Sequence, residues 1–234
     1  MSATNTIIDL THALSSDIPH WDDACCFALH IETDYEECRK PNLFRTQKIN
    51  VKAGSGTHMD APAHCFSDKQ TIDELEVDKL ITDCVVITVA DEADERYQVT
   101  PDVVEKFEKK HGKIQPNTFV IFYTGWDTHW GTPKKYRNGL QFPSIHEKTA
   151  TLLLERDIAG IGIDTLSPDA GGKDFPVHRA ILGAGKYLVE NVANAKNVPA
   201  TGAKILIAPM KIKNATEAPI RLFAFMPTVL PSVS

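Results

Sequence analysis

Cysteine is scarce in this chain and never spaced as a pair of ligands. Cys25, Cys26, Cys38, Cys65 and Cys84 are odd in number and form no CxxC motif. That excludes a disulfide framework and a thiolate metal ribbon, and reads as free thiols in a reducing cytoplasm. Positive charge is short as well, with 25 Lys and Arg against 31 Asp and Glu and a net charge of −6. The basic pairs Lys109-Lys110 and Lys134-Lys135 are short and read as solvated faces. Nucleic acid and anionic membranes are therefore excluded as partners. No apolar run approaches the length of a membrane span, and the N-terminus lacks the basic-then-apolar layout of a signal peptide. Linker composition, low-complexity blocks and internal repeats are also missing. The expectation is one domain over residues 1–234, large enough to bury a full core without staples.

Short apolar, β-branched runs recur at Cys84–Val89, Thr118–Tyr123, Ala159–Ile163, Lys204–Ala208 and Ile220–Phe225. They are near-continuous instead of alternating, which predicts strands covered on both faces. Between them lie helix signals. Thr100 followed by Pro101 is an N-cap with proline at the first helical position, leading into Val103–Lys110 and stopping at Gly112. Ser144 with Glu147 reads as a capping box ahead of Thr149–Arg156, and Thr71 with Glu74 as a third start. Strands alternating with helices in the middle, and strand-rich ends, make an α/β class with a mixed sheet.

The segment Gly56-Thr57-His58-Met59-Asp60-Ala61-Pro62-Ala63-His64 carries the chemistry. If the stretch around His58 is extended, His58 and Asp60 share a face, because side chains alternate along a strand. Pro62 bars a regular ladder, so His64 returns toward the site from a bend. Two imidazoles and a carboxylate suit a divalent metal of intermediate hardness, Mn²⁺ or Zn²⁺, better than a soft one. Cys65 follows His64, but nothing in the sequence marks its thiol as activated.

This run resembles the HxGTHxDxPxH signature of the metal-dependent cyclase-like hydrolases, which include bacterial kynurenine formamidase and isatin hydrolase. A second stretch is similar to the family's SxD…PxH…EN segment: Asp164 to Asp169, then Phe175-Pro176-Val177-His178, then Leu188-Val189-Glu190-Asn191. Smaller echoes are Ile7-Asp9-Leu10-Thr11 and Thr124-Gly125-Trp126. The resemblance implies a swivelling β/β/α fold, a single curled central sheet flanked by helices. It implies metal ligands His58, Asp60, His178 and Glu190, with His64 as general acid/base. A small-molecule substrate, an amide or lactam of the isatin or N-formylkynurenine kind, would be opened at its C–N bond. The resemblance further implies a homodimer.

One position departs from the signature. The family places its first histidine where this chain has Gly54. In binuclear relatives that histidine joins the equivalents of His58 and Asp60 on one ion, while the equivalents of Asp60, His178 and Glu190 hold the other. The expectation is one divalent metal per chain, Mn²⁺ or Zn²⁺, and an activity nearer isatin hydrolysis. A non-catalytic ligand-binding relative is the competing reading. Trp21, Phe66 and Trp126 are the expected substrate contacts, with Trp21 first because it lies in Ile18-Pro19-His20-Trp21, where the family has an aromatic near the substrate.

Overall fold

In the computed structural model, residues 6–22, 24, 26–171 and 174–226 are described. Cys25 lies outside them. Twelve strands occur among these residues: β1 Ile7–Asp9, β2 Phe27–Thr33, β3 Thr46–Val51, β4 His58–Asp60, β5 Ile81–Thr88, β6 Gln98–Val99, β7 Phe119–Tyr123, β8 Ser144–Ile145, β9 Gly160–Ile163, β10 Tyr187–Glu190, β11 Ala203–Pro209 and β12 Glu217–Phe225. Four α-helices accompany them: α1 Pro101–His111, α2 Pro133–Arg137, α3 Glu147–Glu155 and α4 Pro176–Gly183.

Eight strands form one mixed sheet in the order β1-β12-β11-β5-β7-β9-β10-β4. β4 then pairs with β12 as well, so the sheet curls closed into a barrel. β5, β7, β9 and β10 run parallel, while β4, β11, β12 and β1 make the antiparallel contacts. β1 and β4 occupy successive stretches of β12, at residues 223–225 and 217–219.

The apolar run Phe119–Tyr123 is continuous because it serves two cores. Phe119, Ile121 and Tyr123 join Met59, Val189, Ile205 and Leu222 in one cluster. Val120 and Phe122 turn the other way and meet Val104 and Phe107 of α1, Leu153 of α3 and Ile181 of α4. Each fully buried side chain of this size contributes about 1.5–3 kcal/mol. In β9 the residues facing Phe119 and Tyr187 are glycines for lack of room. A Cβ at Gly160 would meet the carbonyl oxygen of Tyr187 at 2.5 Å, and one at Gly162 would meet the Phe119 ring at 3.0 Å.

The run Cys84–Val89 has the two-sided burial expected of it, with Cys84 and Val86 in one cluster and Ile87 and Val89 in the other. β11 differs: buried Ala203, Ile205 and Ile207 alternate with the less buried Lys204, Leu206 and Ala208. Only one face of β11 packs on the core, so period-2 patterning returns there. The helix after Thr100 forms and ends at Gly112, whose φ of 91° needs glycine. The Ser144 capping box does not form. Ser144 pairs in β8 with Gln98, and His146 caps α3 instead, its Nδ1 accepting the Lys148 amide at 3.1 Å. At Thr71 the box with Glu74 closes only a single 3₁₀ turn, Ile72–Glu74.

Candidate metal centre

β4 lies between β10 and β12, and register brings four polar side chains to one face of it. His58 stands opposite Glu190 on β10, and Asp60 stands opposite Glu217 on β12. Residues directly opposite in an antiparallel pair share a face, with Cβ atoms about 4.5–5.5 Å apart. The alternating Met59, Val189 and Ala218 face the other way, into the core. His178 reaches the same place from the first turn of α4. His64 arrives from the 3₁₀ turn Pro62–His64, the bend set by Pro62.

Asp60 and Glu190 are each shared by two imidazoles. Asp60 Oδ1 lies 3.6 Å from His58 Nε2, and Asp60 Oδ2 lies 3.5 Å from His178 Nε2. Glu190 Oε2 lies 3.3 Å from His58 Nε2, and Glu190 Oε1 lies 3.2 Å from His178 Nε2. Two triads of ligand atoms result, His58–Asp60–Glu190 and Asp60–His64–His178, sharing Asp60. Buried Asp60 Oδ1 and Glu190 Oε1 have no hydrogen-bond partner. Burying carboxylate oxygens without a donor is costly, and a divalent cation removes that cost. The donor set, imidazole nitrogens with hard oxygens, fits such an ion.

Ring orientation is fixed from behind. His58 Nδ1 donates to the Gly56 carbonyl at 2.9 Å, and the same carbonyl accepts from Asn191 Nδ2 at 2.8 Å. His178 Nδ1 donates to Asp169 Oδ2 at 2.7 Å. Both rings thereby present Nε2 to the carboxylates, which is how metal-binding histidines are held. Burial opposes charge on both imidazoles, but carboxylates outweigh it. Glu190 and Asp60 raise the pKa of His58 to about 10, and Asp169, Asp60 and Glu190 raise that of His178. The same imidazoles pull Asp60 below its ordinary value despite its burial.

The cluster forms one side of a cavity of about 320 Å³. Trp21 and Phe175 line it, their rings 5.7 Å apart. Phe66 lies in a neighbouring hollow on the far side of His64 and Phe175, with Cys65 and Arg179. Trp126 is displaced from the expected role. It is buried against Tyr136, Phe142 and Leu166, and its Nε1 donates to the Tyr136 carbonyl at 2.8 Å, so its polar atom is satisfied in the core. Burial pushes the Cys65 thiol pKa up, away from an activated thiolate.

Three residues outside the expected set belong to this environment. Asp169 braces His178, Asn191 braces the Gly56 carbonyl, and Glu217 lines the cavity. Asp169 and Asn191 fall inside the motif stretches and were legible as members of them. Glu217 was not, because the apolar run of β12 starts three residues later, at Ile220.

The family model for putative cyclases matches residues 8–170. Isatin hydrolase of Roseibium aggregatum is 32% identical over 188 residues, covering 74% of this chain and 72% of that protein. Kynurenine formamidase of Bacillus cereus is 23% identical over 226 residues, covering 93% and 96%. Among solved structures, isatin hydrolase A from Labrenzia aggregata bound to benzyl benzoate superposes with a TM-score of 0.87 at 29% identity, covering 96% of this chain and 94% of that one. An isatin hydrolase bound to the product analogue thioisatinate also gives 0.87, at 28% identity over 95% and 93%. The barrel, the order of the motifs along it and these likenesses agree: the chain belongs to the putative cyclase family and is a hydrolase of that family.

Proposed function

We propose that this chain hydrolyses the C–N bond of a small aromatic amide or lactam, of the isatin or N-formylkynurenine kind, at a divalent metal centre of Mn²⁺ or Zn²⁺. The observation that carries the reading is the sharing of Asp60 and Glu190 between His58 and His178 on the wall of an open cavity. When bound, such a metal lowers the pKa of water and polarises a carbonyl, the two requirements of amide hydrolysis near neutral pH.

The chain's own residues do the rest. Asp60, His58, His178 and Glu190 hold the ion, with Gly56 and Asp169 fixing the two rings. His64 stands at the cavity, its side chain 33% exposed, which leaves it free to exchange protons. It takes a proton as water oxygen bonds to the carbonyl carbon, and returns one to nitrogen as the C–N bond breaks. Histidine suits this because its charge changes near physiological pH. Trp21 and Phe175 offer apolar ring faces for a flat substrate.

The reading carries with it a cytoplasmic homodimer. Leu29, Ile31 and Ile49, each at least half exposed, sit together on one face of the β2–β3 ribbon and support a covered surface there. Among the described residues, no helix is long and apolar enough to cross a membrane.

The deciding experiment strips the protein with chelator, restores Mn²⁺ or Zn²⁺, and assays isatin and N-formylkynurenine. Metal-restored turnover of either supports the proposal. Metal binding without hydrolysis of any amide or lactam offered would overturn it.

A further inference from the structure

Position 54 is not simply empty. An ideal Cβ built on Gly54 would overlap Glu217 Oε1, and would stand 3.4 Å from His58 Nε2. The first atom of any side chain at 54 thus falls on the Glu217 carboxylate, beside the ligand nitrogen of His58. The backbone of Gly54 is not what demands glycine. The left-handed glycine of this loop is Gly56, with φ 63°, and Gly54 is not among the positive-φ residues. What a side chain at 54 would displace is the Glu217 carboxylate, the far end of a flexible side chain.

We propose that Glu217 is a metal ligand: its carboxylate stands in, from across the β4–β12 pairing, for the histidine that the signature this chain resembles has at the place of Gly54. With His58 and Asp60 it forms a second divalent-cation position beside the one at His178. Glu217 is held for this by register, directly opposite Asp60. Its Oε1 faces the His58 side, while its Oε2 lies 3.6 Å from His64 Nδ1. Asp60 Oδ1, which faces His58, is buried without a hydrogen-bond partner on this side.

This inference rests on the metal-dependent reading above, and its test separates the two. Apo protein is reconstituted with Mn²⁺ or Zn²⁺, desalted, and its metal counted by mass spectrometry, with titration calorimetry for affinity. About two ions per chain are expected in the native protein and about one in Glu217→Ala. The exchange Gly54→His with Glu217→Ala, which returns the ligand to the other strand, is expected to restore two. Circular dichroism establishes that each variant is folded. Unchanged stoichiometry and affinity in Glu217→Ala would overturn the proposal, as would a single ion in the native protein. A Glu217→Ala protein that keeps its metal and shows only an altered pH profile would also overturn it, making Glu217 a positioning residue for His64. If neither native protein nor variants retain metal, the underlying metal-dependent reading fails instead.

Discussion

Asp169 holds His178 by both its backbone and its ring: Oδ2 accepts the His178 amide at 3.0 Å and the ring Nδ1–H at 2.7 Å. Its other oxygen accepts the Val177 amide at 3.0 Å, so one carboxylate caps the first turn of α4 and aims the ligand that α4 carries. Asp169→Asn keeps the size and one acceptor but loses the charge behind the imidazole. Metal affinity is expected to fall about 10–100-fold, the usual cost of removing such a brace. Competition with a fluorescent chelator measures it. Undiminished affinity would reduce Asp169 to a helix cap.

His64→Ala is expected to keep the metal but lower kcat by a factor of about 10²–10⁴, the range for a general acid–base group. His64 is also grouped with Asp60 and His178 among atoms close enough to share an ion. Metal content therefore decides its role. Loss of an ion along with turnover would make His64 a ligand.

His58→Ala and Asp60→Ala are each expected to lose metal and activity while the fold persists. The two apolar clusters on either side of the sheet supply the folding energy without the ion. Far-ultraviolet circular dichroism and metal analysis on the same samples check both halves of this expectation.

Away from the site, Glu108 of α1 ties α3's end to the helix it packs on. Arg156 contacts it at 2.8 Å and Lys113 at 3.0 Å, and the Ile114 amide donates to it at 3.2 Å. Hydrogen bonding to Arg156, working against burial, and then to Lys113 and Ile114 pulls its pKa from 4.5 down to about 2. A depressed carboxyl pKa contributes stability that is present above the unfolded value and is lost as pH falls through the folded one. Glu108→Gln is expected to cost about 1–3 kcal/mol at pH 7, as for a charge-assisted buried bond. The difference from the native protein should shrink as pH falls from about 4.5 toward 2 in urea titrations. A gap that does not change with pH would show that shape, not charge, matters there.

The order of His58, Asp60, His64, His178 and Glu190 along the chain was enough to identify the family, because each motif is local and its chemistry depends on residue type and spacing. The strands at Thr118–Tyr123 and Ala159–Ile163 and the helix after Thr100 were legible for the same reason: their apolar period and caps are written in adjacent residues. Local signals failed where a neighbour far along the chain competed for the same atoms. Ser144 was drawn into a strand by Gln98, and Trp126 into the core by Tyr136. Gly54 read alone is a missing ligand. Only closure of the barrel, which lays β12 against β4, brings Glu217 to the space that glycine leaves, across 163 residues of sequence. Residue type was fixed in the sequence; which residue stands beside which ligand was decided by strand register, a property of the closed sheet and of no single segment.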